Sequence, residues 1–113
     1  MRFMLLLYLS DRPGPGTQEG DELYGAVRAF HEECTKRGVL VDAAPLEAPA
    51  TATTVRARNG RVLNVDGPFA ETKEWLAGYF VLDCERDEAL ELAALCPTAR
   101  DGSVEVRPLM PTG

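Results

Sequence analysis

The chain has 113 residues, 45 % of them apolar, which is enough for one hydrophobic core and too little for two, so a single domain over residues 1–113 is expected. Its 12 basic and 18 acidic residues leave a net charge of -6. That sign opposes the counterion-release attraction behind nonspecific nucleic-acid binding and disfavours an anionic membrane surface, so neither is expected as a partner.

In chain order, Phe3 to Leu9 (FMLLLYL) is apolar at consecutive positions and reads as a strand buried on both faces. The run is far shorter than the roughly 20 residues of a membrane span, and no signal-peptide cleavage pattern follows it. A cytoplasmic location is therefore expected. Ser10 to Gly16, with two prolines and two glycines, is a loop. From about Asp21 to Arg37 the residues Leu23, Val27, Phe30 and Cys34 recur at spacings of four, three and four, one stripe of an amphipathic helix that Gly38 ends. Val39-Leu40-Val41 begins a second strand that fades at Ala44-Pro45-Leu46. Ala52 to Arg58 and Arg61 to Val65 are strands joined by Asn59-Gly60, whose tolerance of positive φ suits a type I′ hairpin turn. Trp75 to Cys84 is a further strand. Ala89, Leu92, Ala93 and Cys96 form a helical stripe closed by Pro97, and Ser103 to Arg107 is a last, alternating strand. The cysteines Cys34, Cys84 and Cys96 have no CxxC or CxxH spacing and read as free thiols.

The order β-α-β-β-β-β-α-β places two strand-helix-strand units around a hairpin. Two crossovers on one antiparallel sheet give a ferredoxin-like α+β layer with both helices on one face. The first strand is apolar on both faces, yet two helices cover only one of them. A second copy packed sheet to sheet would cover the other, so a homodimer is expected.

With these segments in place, the chain resembles the YciI-related superfamily, and more closely its DGPF branch. The likeness runs through MRFMLLLY, Pro49-Ala50-Thr51-Ala52-Thr53-Thr54-Val55-Arg56, the hairpin into Val65-Asp66-Gly67-Pro68-Phe69-Ala70-Glu71-Thr72-Lys73-Glu74, Gly78-Tyr79, Asp87-Glu88-Ala89-Leu90, Cys96-Pro97 and Gly102 to Pro108. The resemblance implies a dimeric α+β barrel. Some similar proteins occur beside or fused to sigma factors of the extracytoplasmic-function type, and a relative in the wider superfamily is a dehydrochlorinase acting on a chlorinated aromatic. A His-Asp pair is proposed as the catalytic site of the wider superfamily; counted back from Gly38, that histidine falls near Val27, one turn from His31.

Several side chains are candidates for chemistry, each with a plainer alternative. Asp66, in Asp66-Gly67-Pro68, can simply cap a turn; held at the rim of a pocket, its carboxylate could act as a general base. Glu71 can approach it across the turn, with Lys73 able to neutralise one of the two, although Lys73 and Glu74 also suit a solvated surface. His31 stands with Tyr24 and Val27 at the edge of the helical stripe, either as a half-buried edge residue or as an acid/base group facing the sheet. Tyr8 is either a core residue with a surface hydroxyl or a proton donor. Arg56 shares a strand face with Arg58 and is the first choice for an anionic ligand, one of the two being expected to pair with an acidic residue.

No metal-ligand spacing, phosphate-cradling glycine loop or nucleophile-base arrangement is present, so no cofactor and no metal are expected. The leading expectation is a homodimer with a pocket between the first helix and the sheet that takes a small organic molecule. Any reaction there would be cofactor-free proton transfer, such as elimination or isomerisation, with Asp66 as base and Tyr8, Arg56 or His31 assisting. The rival is a non-catalytic accessory protein linked to sigma-factor regulation.

Overall fold

The computed structural model describes residues 1–10, 16–68 and 73–112. Along the chain run β1 (Arg2–Leu9), α1 (Gln18–Lys36), β2 (Leu40–Pro45), a single 3-10 turn at Pro49–Thr51, β3 (Thr53–Arg58), β4 (Arg61–Asp66), β5 (Trp75–Asp83), α2 (Arg86–Leu95), α3 (Thr98–Asp101) and β6 (Gly102–Pro108).

β1 is hydrogen-bonded on both edges, antiparallel to β5 on one side and to β6 on the other. With β2 on the far edge of β5, the four strands stand in the order β2-β5-β1-β6. β2 is thus parallel to β1 and separated from it by β5, so α1 is a crossover; α2 is the matching crossover from β5 to β6. This is the ferredoxin-like α+β arrangement. The strands β3 and β4 pair only with each other, as a separate two-stranded arm rather than as part of the main sheet.

Alternation along β1 sorts the layers. Phe3, Leu5, Leu7 and Leu9 are buried, and Leu5 and Leu7 share one cluster with Phe30 and Cys34 of α1, Leu92 and Ala93 of α2, and Cys96. Both crossover helices therefore cover the same face. Phe30 and Phe80 meet edge to face at 5.0 Å between ring centroids, the geometry their opposed edge and face charges favour. Arg37, at the end of α1, reaches Glu33 at 2.8 Å, Glu91 at 3.3 Å and Glu88 at 3.6 Å, tying α1 to α2 at the rim. The even residues Met4, Leu6 and Tyr8 lie half-buried on the other face.

Local boundaries follow caps. α1 starts at Gln18, three residues before the expected Asp21, because the Thr17 hydroxyl accepts from the Gly20 amide at 3.0 Å and closes the first turn. Pro97 ends α2 as expected, but one further helical turn, Thr98–Asp101, precedes β6. The arm turns at Asn59 (φ 50°) and Gly60 (φ 75°), both in the left-handed region that a type I′ turn requires.

Cys34 and Cys96 are buried and Cys84 is half-buried, all three as free thiols. Burial pushes the Cys34 thiol up from 9.0 to about 11 and also raises those of Cys84 and Cys96. Above about pH 9 the unfolded chain gives up these protons before the folded chain does, so stability falls as pH rises toward 11. Urea unfolding on the two sides of that window is expected to show this loss, and Cys34→Ala to reduce it.

At Gly102, facing Leu9 across the β1–β6 ladder, a Cβ would lie 2.0 Å from the Tyr8 carbonyl oxygen. Gly102→Ala is expected to lower unfolding free energy by at least about 1–3 kcal/mol, the usual cost of overpacking, as read by chemical denaturation.

Candidate functional site

The two halves of α1 meet different surfaces. Phe30 and Cys34, in the C-terminal half, are buried against Leu7, Phe80 and Leu82. In the N-terminal half Leu23 and Val27 are only half-buried and Tyr24 is exposed. Beneath that half the sheet presents small residues, Ala43, Ala77 and Gly78, which leave volume unfilled. Gly78 is small for a backbone reason: a Cβ there would lie 2.9 Å from the Ala44 carbonyl oxygen.

The result is an open cavity of about 1000 Å³ between α1 and the sheet. Leu7, Leu9, Val27, Phe80 and Trp75 supply its apolar surface, while Asp21, Arg28, His31 and Glu47 bring charge or titratable groups to it. Size and lining both match a site for a small organic molecule.

His31 lines this cavity as an exposed residue, not the half-buried one expected, with its ring centroid 6.0 Å from that of Phe80. Of the other sequence candidates, Tyr8 is half-buried on the opposite face of the sheet, between Leu76 of β5 and Ser103 of β6. Asp66 is exposed at the end of β4, opposite Thr53, and Arg56 is exposed on β3, opposite Leu63. Neither lines the cavity. Lys73 is exposed just ahead of β5. Glu71 lies outside the described residues. Asp66, Arg56 and Tyr8 are thus not brought to the cavity where His31 stands.

The turn after Asp66 has a definite structural task. Gly67, at φ 105°, donates its amide to the Ala52 carbonyl at 2.7 Å and accepts from the Thr54 hydroxyl at 2.8 Å, closing the base of the arm. Arg58 faces Arg61 across the arm rather than an acid. Glu74, read as a solvated surface charge, is half-buried and accepts from the Ser103 hydroxyl at 2.7 Å.

Arg28 and Trp75 are among the cavity residues that the sequence did not single out. Arg28 lies four residues after Tyr24 and three before His31, so extending the Tyr24-Val27-His31 stripe by one neighbour would have found it. Its guanidinium carbon sits 5.7 Å from the Tyr24 ring centroid. Trp75 lines the cavity wall, but its Nε1 is sealed from solvent and has no hydrogen-bond partner; nothing in the surrounding sequence signals an indole placed so. Among the described residues no group of three His, Cys, Asp or Glu side chains could hold a metal ion.

A ferredoxin-like domain with a cavity wedged under the first half of α1 is the structural class defined by these features. The model of the YCII-related domain matches residues 1–112, and the chain belongs to that family. It is also 38 % identical over 95 residues to an uncharacterised protein, R00369, of Rhizobium meliloti (strain 1021), an alignment covering 81 % of this chain and 77 % of that protein. No helix among the described residues is long and apolar enough to cross a membrane.

A buried N–H without an acceptor costs about 1–3 kcal/mol. Trp75→Phe removes that N–H and keeps much of the aromatic bulk. Thermal unfolding without ligand is therefore expected to show a midpoint equal to or above that of the parent, although apolar area is lost.

Proposed function

We propose that the chain is a small-molecule-binding domain whose site is the cavity between α1 and the sheet. The observation that carries this reading is the combination of about 1000 Å³ of open volume, apolar walls from three strands and a helix, and a few polar groups gathered at one place. Monomeric domains otherwise fill such volume with side chains. His31, the single histidine of the chain, lines this cavity with a ring that can both donate and accept a proton, so proton transfer at a bound molecule would fall to it, with Asp21 and Glu47 as carboxylates of the same cavity among the described residues. Asp66, exposed on the arm, keeps its role at the turn, and a catalytic role for it would need the arm to meet a cavity of another copy.

The reading includes a homodimer joined through the open face of the sheet. Met4, Leu6 and Leu76 lie there half-buried and Val81 is 8 % exposed, an apolar centre flanked by Glu105 paired with Arg107 and by Asp42, which accepts from the Tyr79 hydroxyl at 3.2 Å. An apolar centre with a polar rim is the usual anatomy of an interface.

Three measurements test these points. A neutral aromatic such as 2-naphthol is expected to raise the thermal midpoint of the parent and to shift the His31 imidazole resonances, and Val27→Trp to abolish both effects by filling the cavity. Absence of either response in the parent would sink the binding-site reading. In sedimentation equilibrium the parent is expected at the mass of two chains and Leu6→Glu at the mass of one; a monomeric parent at micromolar concentration would exclude the dimer.

A further inference from the structure

We infer that the cavity takes an aromatic carboxylate, with the carboxylate held by Arg28 and His31 and the ring system lying over Leu7, Val27 and Phe80. This rests on the cavity being a binding site and adds the class of its ligand.

The argument begins with what each cation does on α1. Arg37 gathers Glu33, Glu88 and Glu91 within 3.6 Å. Arg28, in contrast, makes no ion pair among the described residues, although Glu32 stands four residues on, a spacing at which helical ion pairs form readily. Its guanidinium lies instead toward the preceding turn, over the Tyr24 ring at 5.7 Å, a direction that keeps it with the cavity-lining stripe of Tyr24, Val27 and His31. A stacked guanidinium keeps its in-plane N–H donors free, because ring contact uses the face and hydrogen bonding uses the edge.

His31, one turn further along, lines the same cavity with its ring facing Phe80 at 6.0 Å. Arg28 and His31 therefore offer adjacent donors beside an apolar space. Asp21 and Glu47, the carboxylates at that space among the described residues, do not cancel them. Asp21 is in the first turn of α1, where the positive end of the helix dipole favours it, and Glu47 follows β2 on the other side of the cavity.

The chemistry of the head group follows from donor number and shape. One planar fork with one imidazole matches the two oxygens of a carboxylate. A phosphate would call for more donors, in the manner of a ring of backbone N–H groups at a helix start or glycine loop, and the apolar surface supplied by Leu7, Leu9, Val27 and Phe80 offers none. The body of the ligand is set by those same walls, where a planar aromatic system gains most from contact with aliphatic and aromatic faces.

The test compares 2-naphthoate with 2-naphthamide, which have the same ring system and differ in charge, by isothermal titration calorimetry on the full chain. The acid is expected to bind about tenfold or more tightly than the amide, the factor given by roughly 1.4 kcal/mol from a charge-assisted pair. Arg28→Gln is expected to remove that preference, with Arg28→Lys restoring part of it and Arg56→Gln leaving it intact. Circular dichroism of each variant checks that the exposed helix position has not disturbed the fold. Equal affinity of the acid and the amide for the parent overturns the carboxylate assignment while the cavity reading stands. A preference that survives Arg28→Gln overturns the placement of the head group. Binding of neither compound overturns both readings.

Discussion

Every other element of this protein takes its place from β1. Hydrogen-bonded on both edges, the strand satisfies its backbone inside the sheet, so its side chains alone decide what lies above and below. Its odd residues Phe3, Leu5, Leu7 and Leu9 are buried, Leu5 and Leu7 in one cluster with residues of both crossover helices. Its even residues form the centre of the open face. A one-residue slip against β5 or β6 would exchange those two sets, which makes register and layer assignment a single decision.

The same strand explains why the helical layer is uneven. Toward one end, Phe30, Cys34 and Leu92 meet Leu5, Phe80 and Leu82 in a filled core. Toward the other, α1 stands over alanines and a glycine, and space remains. The cavity is thus the consequence of side-chain size changing along two strands beneath one helix. The backbone approach of β2 to β5 holds Gly78 at its small size, so the space cannot be closed by enlarging that residue.

Much of the architecture could be read from sequence because it depends on local signals. Asn59-Gly60 specified its turn, the apolar run Phe3 to Leu9 specified a strand, and the stripe Leu23, Val27, Phe30 and Cys34 specified which side of α1 faces inward. The start of α1 was placed late because Thr17, the cap, directly follows a proline- and glycine-rich loop that masks it. The site was less accessible. Pattern reasoning drew attention to Asp66, Arg56 and Tyr8 as polar groups on apolar elements, but their distances from the cavity depend on strand pairing. Arg56 belongs to an arm that no pairing joins to the main sheet, while Tyr8 falls on the face opposite His31 by the parity of a single strand. Arg28 was missed for the converse reason, since a lone arginine on a charged helix looks like ordinary surface until the wall across from it is known.

The arm has a consequence for how this domain can vary. It leaves the sheet after β2 and returns at β5, and these two strands are already antiparallel neighbours, with the Leu46 amide donating to the Ala77 carbonyl at 2.8 Å. In topological terms residues 46–74 are an enlarged connection between adjacent strands, and the entropy of closing such a connection grows only with the logarithm of its length. The arm can therefore lengthen, shorten or exchange its exposed Val55, Val62, Leu63 and Val65 without altering a hydrogen bond of the four-stranded sheet. The four-stranded sheet and this segment are mechanically separable, and a change of length or surface in the segment leaves the ladder of the sheet intact.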